Sequence, residues 1–179
     1  MRFSWSIAVS VVVGCLISPA QTNNTTGAEA NVGAQEAPYI PVHKFDSKRN
    51  AAADVRGAIA EALKTGQRII VDVGGDWCQY CRQMDQLFLE HPELLEFRER
   101  NFITVAVYYG SDKKNEQVLS HYPRVKGIPH FFVLEKDGSV LHSQHLIELR
   151  QGGRYSPEKM KDFLTKWAPA HTENATKSN

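Results

Sequence analysis

Ile69-Ile70-Val71-Asp72-Val73-Gly74-Gly75-Asp76-Trp77-Cys78-Gln79-Tyr80-Cys81 holds the chemistry and most of the architecture. Arg68 to Val73 is a short β-branched run, the composition of a buried strand. Gly74-Gly75-Asp76 turns the chain, and from about Cys78 a helix carries Met84, Leu87 and Phe88 on one side. The C-x-x-C therefore falls on the first turn of a helix, where residues three apart share a face and two sulfurs can close a small ring. Unpaired amides and the positive end of the helix dipole favour a thiolate there. Cys78 is expected to be the nucleophile, exposed at the turn, and Cys81, one turn inside, the resolving thiol. An inert structural disulfide fits poorly, because a four-residue loop constrains the unfolded chain little.

Around this stretch, helix and strand signals alternate. Asp54 to Lys64 reads as an amphipathic helix with Val55, Ile59 and either Ala62 or Leu63 inward, ended by Thr65-Gly66. His91-Pro92 breaks the helix that starts at Cys78, and Pro92 starts a short one, Glu93 to Arg100. Phe102 to Tyr108 is a second buried strand, and Lys114 to His121 a weak helix ended by Pro123. Phe131 to Leu134 and Ser139 to His142 flank Lys136-Asp137-Gly138, a hairpin signal. Ser156-Pro157 opens a last helix to about Trp167, with Met160, Phe163 and Leu164 at core spacing. The order α-β-α-α-β-α-β-β-α requires an α/β fold, a central mixed sheet with helices on both faces.

These residues resemble the thioredoxin superfamily from about Ala51 to Trp167. Trp77 directly precedes the first Cys, Asp72 stands six residues before Cys78, and Gly127-Ile128-Pro129 looks like the family's cis-proline loop. The resemblance implies a thioredoxin-like fold and a protein thiol-disulfide oxidoreductase. It implies Asp72 as a buried acid assisting proton transfer to Cys81, and Trp77, Gln79, Tyr80, Ile128 and Pro129 as the client-binding rim. No cofactor is expected beyond the Cys78-Cys81 disulfide itself. Partners would be protein disulfides or dithiols and an upstream thiol donor or acceptor, including a membrane-bound one.

The sequence also departs from the family pattern. Gln79-Tyr80 is neither the Gly-Pro of reducing thioredoxins nor the Pro-His or Gly-His of oxidants and isomerases, and potentials across such relatives span about 150 mV, roughly 7 kcal/mol for two electrons. Val107 stands where thioredoxin carries a Lys beside the buried acid, so the pKa of Asp72 should rise if it is buried. His91 to Arg100 and Ser143 to Tyr155 are longer than in minimal thioredoxins, as in the secreted, insertion-bearing branch. Two further readings compete. Cys78 and Cys81 with His142 and His145 would make a zinc set by count, and copper is the variant for which Met84 would be a ligand, though Met84 sits at core spacing. A non-catalytic interaction module would keep the fold for binding alone, although such chains commonly lose a Cys and this one has both.

The ends of the chain read as an address and a tether. Met1-Arg2 is a positive start, Trp5 to Ile17 is nearly all apolar, and no acid precedes Glu29. This is the layout of an export signal, too short for a membrane span. Ser18-Pro19-Ala20 offers a cleavage site after residue 20, while Val12-Val13-Gly14-Cys15 resembles a lipoprotein box that would lipidate Cys15. The expected location is outside the cytoplasm, periplasmic or secreted, or anchored through Cys15. Residues 21–38 read as a flexible linker, 39–168 as the folded domain and 169–179 as a polar tail. Asn24-Thr25-Thr26 and Asn174-Ala175-Thr176 are glycosylation acceptors in a eukaryotic source. With 21 basic and 20 acidic residues in 179, and Arg2 lost with the leader, the mature chain carries no net charge to hold nucleic acid. Three cysteines are too few to staple a miniprotein, and only two belong to the domain.

Overall fold

A computed structural model describes residues 39–41 and 43–170. The export signal, Cys15, the linker, both Asn-x-Thr acceptors and the tail beyond residue 170 lie outside the described residues.

The N-terminal helix α1 (Ala51–Thr65) starts where Asn50 Oδ1 accepts the Ala53 amide at 3.1 Å, and stops at left-handed Gly66, whose amide reaches Ala62 O. Its buried positions are Ala51, Val55, Ala58 and Ala62, so Ala62 rather than Leu63 faces inward. Strand β1 (Arg68–Gly74) follows, then α2 (Gln79–Glu90), α3 (Pro92–Asn101) and β2 (Phe102–Tyr108). His91 ends α2 and precedes Pro92, whose missing amide is no loss at a first helical position. A one-turn helix α4 (Glu116–Leu119) leads to β3 (His130–Leu134) and β4 (Val140–His145), joined through Gly138 at φ 88.

The sheet order is β2-β1-β3-β4, with β1 parallel to β2 and antiparallel to β3. Side chains alternate across it. Ile70, Phe131 and Val133 pack with Met84 and Phe88 of α2, Leu94 of α3, and Met160, Phe163 and Leu164 of α5 (Pro157–Trp167). Ile69, Val71, Val73, Val105 and Val107 pack on the other face against α1.

One segment departs from the expected order. Ser143 to Tyr155 completes β4, makes a 3-10 turn at Leu146–Leu149 and forms a second sheet from β5 (Arg150–Gln151) and β6 (Arg154–Tyr155), turned by Gly152 and Gly153 at positive φ. Strands of two residues carry no readable period, but Leu146, Leu149 and Tyr155 anchor the segment in the core.

Candidate active site

The site assembles at the C-terminal end of β1. Register pairs Val73 with His130, which brings the Ile128-Pro129 peptide to the level of Gly74. That peptide is cis, and Pro129 O accepts the Leu146 amide at 3.2 Å. Gly74 O accepts the Tyr109 amide at 2.6 Å, tying the end of β1 to the chain leaving β2.

Both glycines of the turn leave room for neighbours. A Cβ on Gly74 would lie 2.5 Å from Phe45 Cζ and 2.9 Å from Cys81 Sγ. A Cβ on Gly75 would lie 2.5 Å from Trp77 Nε1. Without them, the indole folds over the turn and donates to Tyr109 O at 3.0 Å, leaving Trp77 56% exposed at the rim.

Cys78 occupies the N-cap of α2 in extended conformation, and its sulfur accepts the Cys81 amide at 3.1 Å. The two cysteines form a disulfide with Cα atoms 5.2 Å apart. The expectation that Cys78 is exposed is not met: Cys78 is 4% and Cys81 1% exposed. The C-x-x-C turn folds the first sulfur back onto the helix start, where it meets the Cys81 amide and sulfur, so the turn is at the surface while its sulfur is not.

Asp72 lies two residues before Gly74 on the same face of β1, 6% exposed, with Oδ1 lacking a hydrogen-bond partner. Burial lifts its carboxyl to about 7, Arg98 pulls it back down, and Asp85 of α2 adds to the rise. Val107 does not face Asp72, which corrects the reading that it replaces a neighbouring cation. Val107 pairs with Val73 on the opposite face, and Ala106 is the β2 residue level with Asp72. The cation comes instead from α3: Arg98 is 8% exposed, its guanidinium 4.3 Å from the centre of the Phe88 ring. Its own pKa is pulled down by burial and held up by Asp72.

Gln79 and Tyr80 are exposed on the first turn of α2. Arg150 of β5 stacks 4.5 Å from the centre of the Tyr80 ring and donates to Gln83 Oε1 at 3.2 Å, so the insertion packs directly on the motif. Beside Trp77 opens a cleft of about 480 Å³ lined by Tyr108, Tyr109, Asn115 and Leu119.

The four-ligand metal reading does not assemble. His142 and His145, three apart on β4, point to opposite faces; His142 stacks 4.4 Å from Trp167 and His145 packs against Gly127. Met84 is fully buried in the core. Among the described residues no three His, Cys, Asp or Glu side chains are grouped to hold a metal ion.

Sequence reasoning missed Phe45, Arg98 and Arg150. Arg98 had a signal, since it stands four residues after Leu94 on the apolar stripe of α3. Phe45 is the one aromatic in the polar run 43–50, and Arg150 had no signal at all.

A mixed sheet with a cysteine pair at a helix start, set against a cis-prolyl loop, defines a class of two-cysteine redox domains. Residues 50–136 match the thioredoxin-like family profile. A thiol:disulfide interchange protein DsbD of Pseudomonas fluorescens is 26% identical over 115 residues, 64% of this chain and 19% of that protein. The chloroplastic thioredoxin-like protein HCF164 of rice is 30% identical over 153 residues, 68% of this chain and 55% of that one. The chain thus spans about a fifth and about half of the length of these relatives. The crystal structure of a disulphide isomerase from Xylella fastidiosa superposes with a TM-score of 0.59 at 25% identity, covering 74% of this chain and 98% of that one. The chain has a thioredoxin-like fold.

Proposed function

We propose that the protein is a thiol-disulfide oxidoreductase that exchanges disulfides with protein clients through the Cys78/Cys81 couple, outside the cytoplasm. The observation that carries this reading is the Cys78 sulfur at the N-cap of α2, accepting the Cys81 amide, at the same sheet end as the cis Ile128-Pro129 peptide. In the reduced protein that amide and the helix dipole favour a Cys78 thiolate. The thiolate attacks a client disulfide, a Cys78–client bond forms and one client thiolate leaves. Cys81 then gives its proton to the Asp72 carboxylate, and its sulfur attacks Cys78 and expels the second client thiolate. The client gains two electrons and the pair becomes the Cys78–Cys81 disulfide; an outside dithiol restores it, and the same steps reversed oxidise a client dithiol.

A carboxyl titrating near 7 suits the role given to Asp72, because it accepts and returns a proton at neutral pH. Trp77, Gln79, Tyr80, Ile128 and Pro129 form the rim where an extended client would lie. The names of the relatives, a thiol:disulfide interchange protein and a disulphide isomerase, support the same chemistry. The Met1–Ala20 leader supports export to a periplasmic or extracellular space, with Cys15 as the alternative anchor, and intact mass of the mature protein decides between them.

Electron transfer from a dithiol to insulin disulfides tests the activity. The protein should accelerate reduction, and Cys78→Ala should abolish the acceleration; equal rates with and without the protein would defeat the proposal.

A further inference from the structure

We propose that Phe45 is a positioning residue that keeps the Cys81 sulfur dry and unreactive toward solution until Cys78 has engaged a client. The proposal rests on the reading of Cys81 as the resolving thiol and adds a residue upstream of the stretch matched by the family profile. Phe45 Cζ and Cys81 Sγ both crowd the space that a Gly74 Cβ would fill, at 2.5 and 2.9 Å from it. The ring edge and the resolving sulfur are therefore neighbours across a glycine, and Cys81 is closed to solvent.

The segment that follows Phe45 is tied down at Ser47 and Arg49. Arg49 pairs with Asp54 of α1 at 2.6 Å, and the Arg49 amide reaches Asp46 O at 3.2 Å. Lys114, beyond β2, donates to Ser47 O. The ring is thus held across the end of β1 by contacts to two other parts of the domain.

The chemistry follows from the contrast between the two sulfurs. Cys78 receives a backbone amide, which favours its thiolate. Cys81 has the Phe45 ring on the other side of the Gly74 Cβ position, and an aromatic ring offers a sulfur dispersion but no hydrogen bond strong enough to hold a charge. An apolar cover raises a thiol's pKa and excludes solution electrophiles, so Cys81 reacts only with a sulfur delivered by Cys78. Phe45 moves no proton and forms no bond; it acts through Cys81.

Alkylation of Cys81 by iodoacetamide across pH, in full-length protein carrying Cys78→Ser, reads this directly and needs no client. Phe45→Ala should speed alkylation about ten-fold and lower the apparent pKa of Cys81 by about one unit, with Phe45→Leu in between. An unchanged or slower rate in folded Phe45→Ala overturns the proposal. Should Phe45→Ala not fold, Phe45→Leu carries the test: about three-fold faster supports it, no change overturns it. Insulin reduction by the protein without substitutions is scored separately, so failure of the activity and failure of the Phe45 role are distinguishable.

Discussion

The Cys78 sulfur accepts the Cys81 amide at 3.1 Å, so the side chain that caps α2 belongs to one member of the redox pair and the amide to the other. A charge on Cys78 after reduction would be met by that amide and by the dipole of a 12-residue helix. The Cys78 thiol of the reduced protein should therefore titrate at least about one unit below the ordinary ~8.5. Thiolate ultraviolet absorbance against pH checks this; a Cys78 value at or above the ordinary one contradicts it.

Asp72 predicts an inverted pH dependence of stability. Its carboxyl rises from 3.8 to about 7, chiefly by burial, so the folded state binds the proton more tightly than the unfolded chain does. Between those values the folded state carries more protons, and its stability through this group falls as pH rises. Asp72→Asn removes that loss. The variant should be more stable than the parent near neutral and alkaline pH, by on the order of a few kcal/mol, with the gain shrinking toward about pH 4. Denaturant melts of the oxidised proteins at several pH values measure it, and a less stable Asp72→Asn at alkaline pH would refute the burial account.

Arg98 opposes the rise of Asp72. Replacing it with Met keeps much of the packing on Phe88 and removes the charge. The pH midpoint for release of the mixed disulfide by Cys81 should then move upward, by about one unit. Rapid-quench kinetics of that step, parent against Arg98→Met, give the midpoint; an unmoved or lowered one would show that Arg98 acts by packing alone.

Gly74→Ala should be costly although Gly74 has ordinary strand geometry. Its Cβ would enter space already taken by Phe45 and Cys81 Sγ, so one of them must move. A loss of about 1–3 kcal/mol is expected by thermal or denaturant unfolding, as for other overpacked sites. Combining it with Phe45→Ala should recover part of the loss, because the nearer of the two obstacles is gone.

The parts legible in the sequence are those with a local period or a local stop. Strand β2 is Phe102–Tyr108 as the apolar run predicts, β1 adds only Gly74, and Pro92 opens α3 as expected. The motif and its turn were legible because strand, glycines and cysteines are contiguous. What escaped depends on distant contacts. Arg98 reaches Asp72 from another helix, Arg150 arrives on a two-residue strand, and Phe45 comes from a polar run before α1. The burial of Cys78 escaped as well, since it is a matter of how the sulfur folds back onto the helix start rather than of where the turn lies.

The central claim is that Cys78 attacks client disulfides and Cys81 resolves the product. Reduced Cys81→Ala protein incubated with a disulfide-bonded polypeptide, followed by intact and peptide mass spectrometry, tests it most directly. A stable one-to-one adduct through Cys78, reversed by dithiol and absent in Cys78→Ala, is the predicted result. No adduct, or one formed equally well without Cys78, would contradict it.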